Sequence, residues 1–199
     1  MNDTKEHILN VSFGLFLQKS FKEVTMKEIV EKTGMSKGAF YHYFDSKEQI
    51  FLDIINNAFS SMLYVDFSTF NQSSLKLFYH DYIANMERTY SAFQNMVGEG
   101  HSFDLNYYTL IFDATRLFPD FKQKMIQANE NELEEWVKVI RVARANGEIQ
   151  TAMSDRQLAR IFIHTNSGIG MDNVVVGKAE EVPQAVLNLW DDFYTLIKQ

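Results

Sequence analysis

The stretch from Thr25 to Tyr43, TMKEIVEKTGMSKGAFYHY, leaves few alternatives for its local fold. Thr25 is followed three residues later by Glu28, the T-x-x-E pattern in which a hydroxyl closes the first turn of a helix. Met26, Ile29 and Val30 then recur at i, i+3 and i+4 and give that helix one apolar face. Gly34 supplies the left-handed residue that ends it, and Ser36 is placed to cap a second helix. Along that second helix Met35, Phe40 and Tyr43 turn inward, leaving Lys37, Gly38, Ala39, Tyr41 and His42 outside. The pattern predicts a helix-turn-helix over about residues 25–44.

The outward set is unusual for a solvated face. It holds one cation, two residues with almost no side chain, and two aromatic donors. Small residues let a helix backbone come close to a surface, and Lys, Tyr and His then bond phosphate oxygens around it. A recognition helix in a major groove needs this combination. An ordinary helical hairpin would carry the same turn signals, so the flanks decide between the two.

Upstream, Ile8-Leu9 and Leu15-Phe16 stand at helical spacing, followed by Lys19-Ser20-Phe21 and Val24-Thr25. Downstream runs Phe44-Asp45-Ser46-Lys47-Glu48-Gln49-Ile50-Phe51. The uninterrupted block from Ile8 to Leu52 resembles the DNA-binding domain of the TetR/AcrR family of bacterial transcriptional regulators. Two positions depart from that pattern. Ser12 stands where the family often has Ala, and Ser20 where a Gly often closes the first helix, which predicts a less tight turn. The resemblance implies DNA contacts at Thr25, Ser36, Lys37, Gly38, Ala39, Tyr41, His42 and Lys47. Lys47 falls in the first turn of a fourth helix opened by a Ser46/Gln49 capping box. Beside that helix end it is expected to meet a phosphate.

Composition narrows the class further. The chain has 199 residues and no Cys, which excludes disulfides and thiolate metal sites. Two Pro and nine Gly favour helices throughout. No apolar run approaches membrane-spanning length. The N-terminal MNDTKEHILN lacks the apolar core of a signal peptide, so a cytoplasmic protein is expected. The net charge of −7 looks wrong for a DNA binder. Residues 1–48, however, carry seven Lys against seven Asp or Glu, so the whole excess is acidic charge in residues 49–199. Local arrangement must supply any phosphate-binding field.

The rest of the chain reads as helices. The first runs from about Asp3 to Lys19, with Ile8, Ser12, Leu15 and Phe16 as its inner stripe. The fourth continues through Ile54, Ile55, Phe59 and Met62 to a polar break at Phe70–Ser74. Leu75 to Met86 fits one helix, and Phe93 to Val97 a short one. Tyr107–Leu117 fits another, and Pro119–Asn146 a long one stopped by Asn146-Gly147. Ser154-x-x-Gln157 opens a helix past Ile169, and Pro183 opens the last. No strand-like alternation occurs. The expected fold is all-α, about nine or ten helices. An N-terminal three-helix DNA-binding domain (1–48) precedes a helical bundle (49–199) for ligand binding and dimerisation.

Nothing points to catalysis. His7, His42, His80, His101 and His164 are scattered, without metal-ligand spacing. Ser167-Gly168-Ile169-Gly170 lacks the glycine that precedes a nucleophile elbow. No cofactor is expected.

Aromatic residues crowd the middle of the chain. By default they are core, but a bundle rich in Tyr, Phe and Met also encloses ligand cavities. The expected site is framed by Tyr64, Tyr82, Phe93, Tyr107 and His164. Acidic surroundings favour neutral or cationic apolar guests, unless Arg88 or Arg116 points inward. The last two helices have the widest apolar faces. Ile169, Val186, Trp190 and Phe193 are therefore expected at a homodimer interface, where the resemblance places a four-helix bundle. The implied partners are a palindromic double-stranded DNA operator, a second copy of the chain and a small apolar ligand, with no membrane. The implied activity is repression relieved by that ligand. An activator of the same fold, or an interaction protein that has lost DNA binding, are the alternatives.

Overall fold

Helix boundaries follow the capping residues. In the computed structural model, which describes residues 3–58, 65–97 and 105–199, nine α-helices form and no strand does among the described residues. They are α1 (Asp3–Lys19), α2 (Met26–Thr33), α3 (Lys37–Tyr41), α4 (Lys47–Ala58), α5 (Leu75–Val97), α6 (Leu105–Leu117), α7 (Pro119–Ala145), α8 (Asp155–Val175) and α9 (Val182–Ile197). Phe59, Met62, Tyr64 and His101 lie outside the described residues.

The Thr25 hydroxyl accepts from Glu28 N at 3.2 Å, and Gly34 ends α2 at φ 69°. Ser36 accepts from Ala39 N at 3.4 Å. At α4 the expected box is shifted by one residue. Ser46 Oγ accepts from Gln49 N, but Gln49 Oε1 accepts from Asp45 N rather than from Ser46 N. The Ser154/Gln157 box opening α8 is complete, at 3.3 and 2.9 Å. One expectation fails: Leu75 to Val97 is a single helix, not two. No Gly or Pro lies between Met86 and Val97, so nothing interrupts the backbone ladder.

The residues divide into two compact units. Unit 1 holds α1 to α4, α5 from Ala92, α6, and α7 as far as Lys124; unit 2 holds the other described residues.

In unit 1, α1 packs on α2, α4 and α6. That explains why it buries Leu9, Phe13 and Leu17 in addition to the expected Ile8, Ser12, Leu15 and Phe16. With neighbours on several sides, a single stripe is not enough. Phe16, Phe21 and Phe51 form a ring cluster, with Phe21 stacked on Phe51 at 4.6 Å. Buried Ser12 gives its hydroxyl to Ile8 O at 2.7 Å, so it costs little where Ala would serve. Ser20 adopts φ 103°. The turn therefore keeps the tight left-handed form that suits Gly, contrary to the expectation of a looser one.

Unit 2 is built on Trp136, which is fully buried against Phe78 (4.9 Å), Phe162 (4.8 Å) and Trp190 (5.3 Å). Each such pair adds about 0.5–1.5 kcal/mol beyond burial. Trp190 Nε1 donates to Thr165 Oγ1 at 2.9 Å, so its polar edge is satisfied inside the core.

The start of α5 is closed from two sides. Ser74 Oγ accepts from Leu77 N, while the Glu148 carboxylate accepts from Leu75 N and Lys76 N, both at 3.0 Å. A carboxylate here also faces the positive end of the helix dipole. Glu148 follows Gly147, whose φ of 74° turns the chain out of α7. The Tyr194 hydroxyl donates to the same carboxylate at 3.1 Å. Gln150 N donates to Ile197 O at 2.7 Å and closes the corner.

Candidate nucleic-acid interface

Helix α3 is only five residues long, yet its sides separate cleanly. Phe40 is fully buried and anchors it, while Lys37, Gly38, Ala39, Tyr41 and His42 are all exposed. A Cβ built on Gly38 would meet nothing within 4 Å, so the space in front of the backbone is open. Thr25 and Ser36 are exposed beside them. Each accepts from its helix as a cap, and each hydroxyl keeps its own hydrogen to donate. Seven of the eight expected DNA residues thus lie exposed in the turn-and-helix segment.

Lys47 is placed differently. Its ammonium donates to Val24 O at 2.6 Å and Phe21 O at 2.7 Å, with Lys22 O at 3.5 Å, and it lies 4.4 Å from the centre of the Phe21 ring. An ammonium has three donors, and each has an acceptor within the protein. Lys47 fastens the first residue of α4 to the turn between α1 and α2. His7 Nε2 lies 3.1 Å from Thr33 O and ties α1 to the end of α2. Lys19 pairs with Glu28 at 2.5 Å and, more than the Thr25 backbone, holds the Glu28 carboxyl below its usual range. These contacts fix α2 against α1, and the start of α4 against the turn between them.

The expected ligand residues do not form one group. Phe93 and Tyr107 meet edge to face in unit 1, with ring centres 5.9 Å apart. Burial pushes the Tyr107 hydroxyl well above its ordinary range. Tyr82 and His164 belong to unit 2. There the Tyr82 hydroxyl donates to Glu132 Oε1 at 2.8 Å and accepts from Asn166 Nδ2 at 3.2 Å. His164 lines a cleft of about 500 Å³ between α7 and α8, together with Glu132. Tyr64 lies outside the described residues. Arg88 and Arg116 are exposed, Arg116 paired with Asp113 at 2.7 Å.

The expected dimer residues do not share one exposed face. Val186 and Trp190 are buried to 0% and 1% exposure inside unit 2. Ile169 and Phe193 are half-buried and pack on the same core. The apolar surface of α9 is carried instead by Leu189 and Leu196, 42% and 81% exposed.

Residues 8–54 match the family model for bacterial regulatory proteins of the tetR family. The uncharacterised HTH-type regulator YerO of Bacillus subtilis is 48% identical over 52 residues, 26% of this chain and 18% of YerO. The HTH-type transcriptional repressor NemR of Escherichia coli is 43% identical over 47 residues, 24% of each chain. The reduced form of E. coli NemR superposes with a TM-score of 0.61 at 18% identity over 94% of both chains. A TetR-family regulator from Agrobacterium tumefaciens superposes with a TM-score of 0.63 at 15% identity, covering 99% of this chain and 98% of that one. The segment of residues 8–54 belongs to the TetR family. Members of the TetR family are transcription regulators, not enzymes.

The two curated TetR relatives are matched over no more than about a quarter of their own length, 18% for YerO and 24% for NemR. Over the whole chain the likeness is one of fold. Glu132 and Glu148 are functional side chains that no sequence pattern marks directly. Glu132 sits in an acidic run that reads as a solvated face, and no local pattern marks its hydroxyl partner 50 residues away. For Glu148 the signal was its place just after the Asn146-Gly147 stop, where a side chain leaves the helix end.

Proposed function

We propose that the protein is a sequence-specific DNA-binding repressor, active as a homodimer on a palindromic operator and released by a small apolar ligand. Residues 1–48 act as the DNA head and residues 49–199 as the ligand-binding and dimerising part. The observation that carries this reading is the outward face of α3, where Lys37, Tyr41 and His42 surround the open backbone of Gly38 and Ala39. That arrangement suits close approach to base edges with donors for the flanking phosphates. Thr25 and Ser36 add donors at the helix starts, and Lys47 holds the turn from beneath. Two heads related by a two-fold axis would read half-sites about 34–36 Å apart or a multiple of that. Leu189 and Leu196 on α9 mark the face that pairs the subunits. Ligand releases DNA only in so far as it binds the DNA-incompetent dimer more tightly.

Selection of binding sites from random duplexes, followed by anisotropy titration over a range of salt, tests the reading. The expected result is an inverted-repeat site whose affinity falls steeply with salt. Gly38→Leu should fold normally, because nothing lies over that position, and should lose the selected site. Full binding by Gly38→Leu, or salt-independent binding by the parent, would leave an interaction protein as the better description.

A further inference from the structure

We infer that the cleft between α7 and α8 binds a lipophilic organic cation, with the Glu132 carboxylate as its anchor. The inference rests on the reading that unit 2 takes a small molecule, and it names the class.

The walls are apolar where Ile126, Leu133 and Ile163 line them. The charged lining is two carboxylates from α7, Glu130 and Glu132, against Arg160 and His164 from α8. Glu130, Arg160 and His164 are exposed, so water screens them. Glu132 is the one acid of the cleft that is partly buried. Its neighbours along the helix are neutralised by cations: Glu134 pairs with Arg156 at 2.8 Å and Glu135 with Lys138 at 2.5 Å. Among the described residues no Lys or Arg pairs with Glu132. Its bonding partner is the neutral Tyr82 hydroxyl, itself oriented by Asn166.

A half-buried carboxylate without a cation is an unfavourable arrangement. Burial pushes the Glu132 carboxyl up, against opposing pulls from Tyr82, the nearby Trp136 indole and His164. A second feature lies beside it. Trp136 is fully buried, and its indole N–H has no acceptor at hydrogen-bonding geometry. This indole is not part of the cleft lining; with Tyr82 it is a neutral group that favours the Glu132 charge, which still lacks a Lys or Arg partner among the described residues. An organic cation fits this chemistry. Its charge would meet Glu132 where water is partly excluded, and its apolar body would cover Ile126, Leu133 and Ile163. An anion would meet the Glu132 carboxylate with like charge, since the other charged groups of the lining are exposed and screened. A neutral guest would gain only the apolar area.

The test is calorimetric titration of the full-length protein with benzyltrimethylammonium and with 4-phenylbutyrate, probes of similar size and opposite charge. The cation should bind, and the anion should bind at least about tenfold more weakly. Glu132→Gln keeps an acceptor for Tyr82, so it should retain the fold while losing about tenfold or more in cation affinity. Glu130→Gln, at the solvated rim, should change it by less than about threefold. Ser167→Phe, which fills the cleft from α8 and leaves Glu132 in place, should abolish binding. Equal binding of both probes, no binding of the cation, or full cation affinity in Glu132→Gln or Ser167→Phe would each overturn the inference. Operator affinity is measured in the same samples. Cation binding with no effect on DNA would uphold the site and remove its regulatory role. Intact operator binding with no cation binding would remove the site and leave the proposed function standing.

Discussion

The ammonium of Lys47 lies 2.6 Å from the carbonyl oxygen of Val24, the residue just before the cap of α2. With Phe21 O and Lys22 O as further acceptors, the group is spent within the protein. Lys47→Ala should therefore weaken operator binding by loosening the turn, with the slope of log affinity against log salt unchanged. Lys37→Ala, which removes a free cation on α3, should lower the slope by about one. Anisotropy at four salt concentrations separates the two. A unit loss of slope in Lys47→Ala would restore the phosphate contact expected from sequence.

Ser20→Gly should stabilise the protein by about 1 kcal/mol. At φ 103° a side chain is strained, and Gly relieves that strain. The substitution also removes the bond from Ser20 Oγ to Glu23 Oε2, at 2.9 Å, which is exposed to water and contributes little. Urea denaturation gives the sign directly, and a fall in the midpoint would mean the turn is not under strain.

Leu189→Asp combined with Leu196→Asp should give folded monomers, because both side chains reach solvent in the single chain. Val186→Asp should unfold unit 2 instead, since a charge at a fully buried site has no compensation. Sedimentation velocity and far-ultraviolet circular dichroism distinguish the outcomes. Dimers that survive the double change would show that the subunits pair elsewhere.

Glu148→Ala should cost on the order of 2–4 kcal/mol, more than a typical surface change. It removes two charge-assisted bonds to backbone N–H groups of α5 and the acceptor for Tyr194. Chemical denaturation measures the loss. Glu148→Gln, which keeps an acceptor, should recover part of it, and equal loss in both variants would point to packing rather than hydrogen bonding.

What the sequence disclosed was what lies within a few positions of itself. Thr25, Gly34, Ser36, Ser154 and Gln157 announced helix ends because caps act over three or four residues. The division of α3 into buried Phe40 and exposed Lys37, Tyr41 and His42 followed from the helical period alone. The period could not say where a core ends. On α9, Val186, Leu189, Trp190, Phe193 and Leu196 read as one broad stripe, and only packing showed that Val186 and Trp190 face inward while Leu189 and Leu196 do not. Lys47, Glu132 and Glu148 find their partners 23 or more residues away, beyond the reach of any local rule. The aromatic count suggested one cavity; the fold distributes Phe93 and Tyr107 to one unit and Tyr82 and His164 to the other.

The Glu148 cap also sets an order of assembly. The first two amides of α5 wait for a residue 72 or 73 positions further along the chain, and that carboxylate is in turn held by a tyrosine 46 positions beyond it. During synthesis the opening turn of α5 would lack this lock until Glu148 and then Tyr194 have emerged. A chain cut short before Tyr194 would lose more than its last helix turn, because the beginning of α5 would lose part of its lock as well.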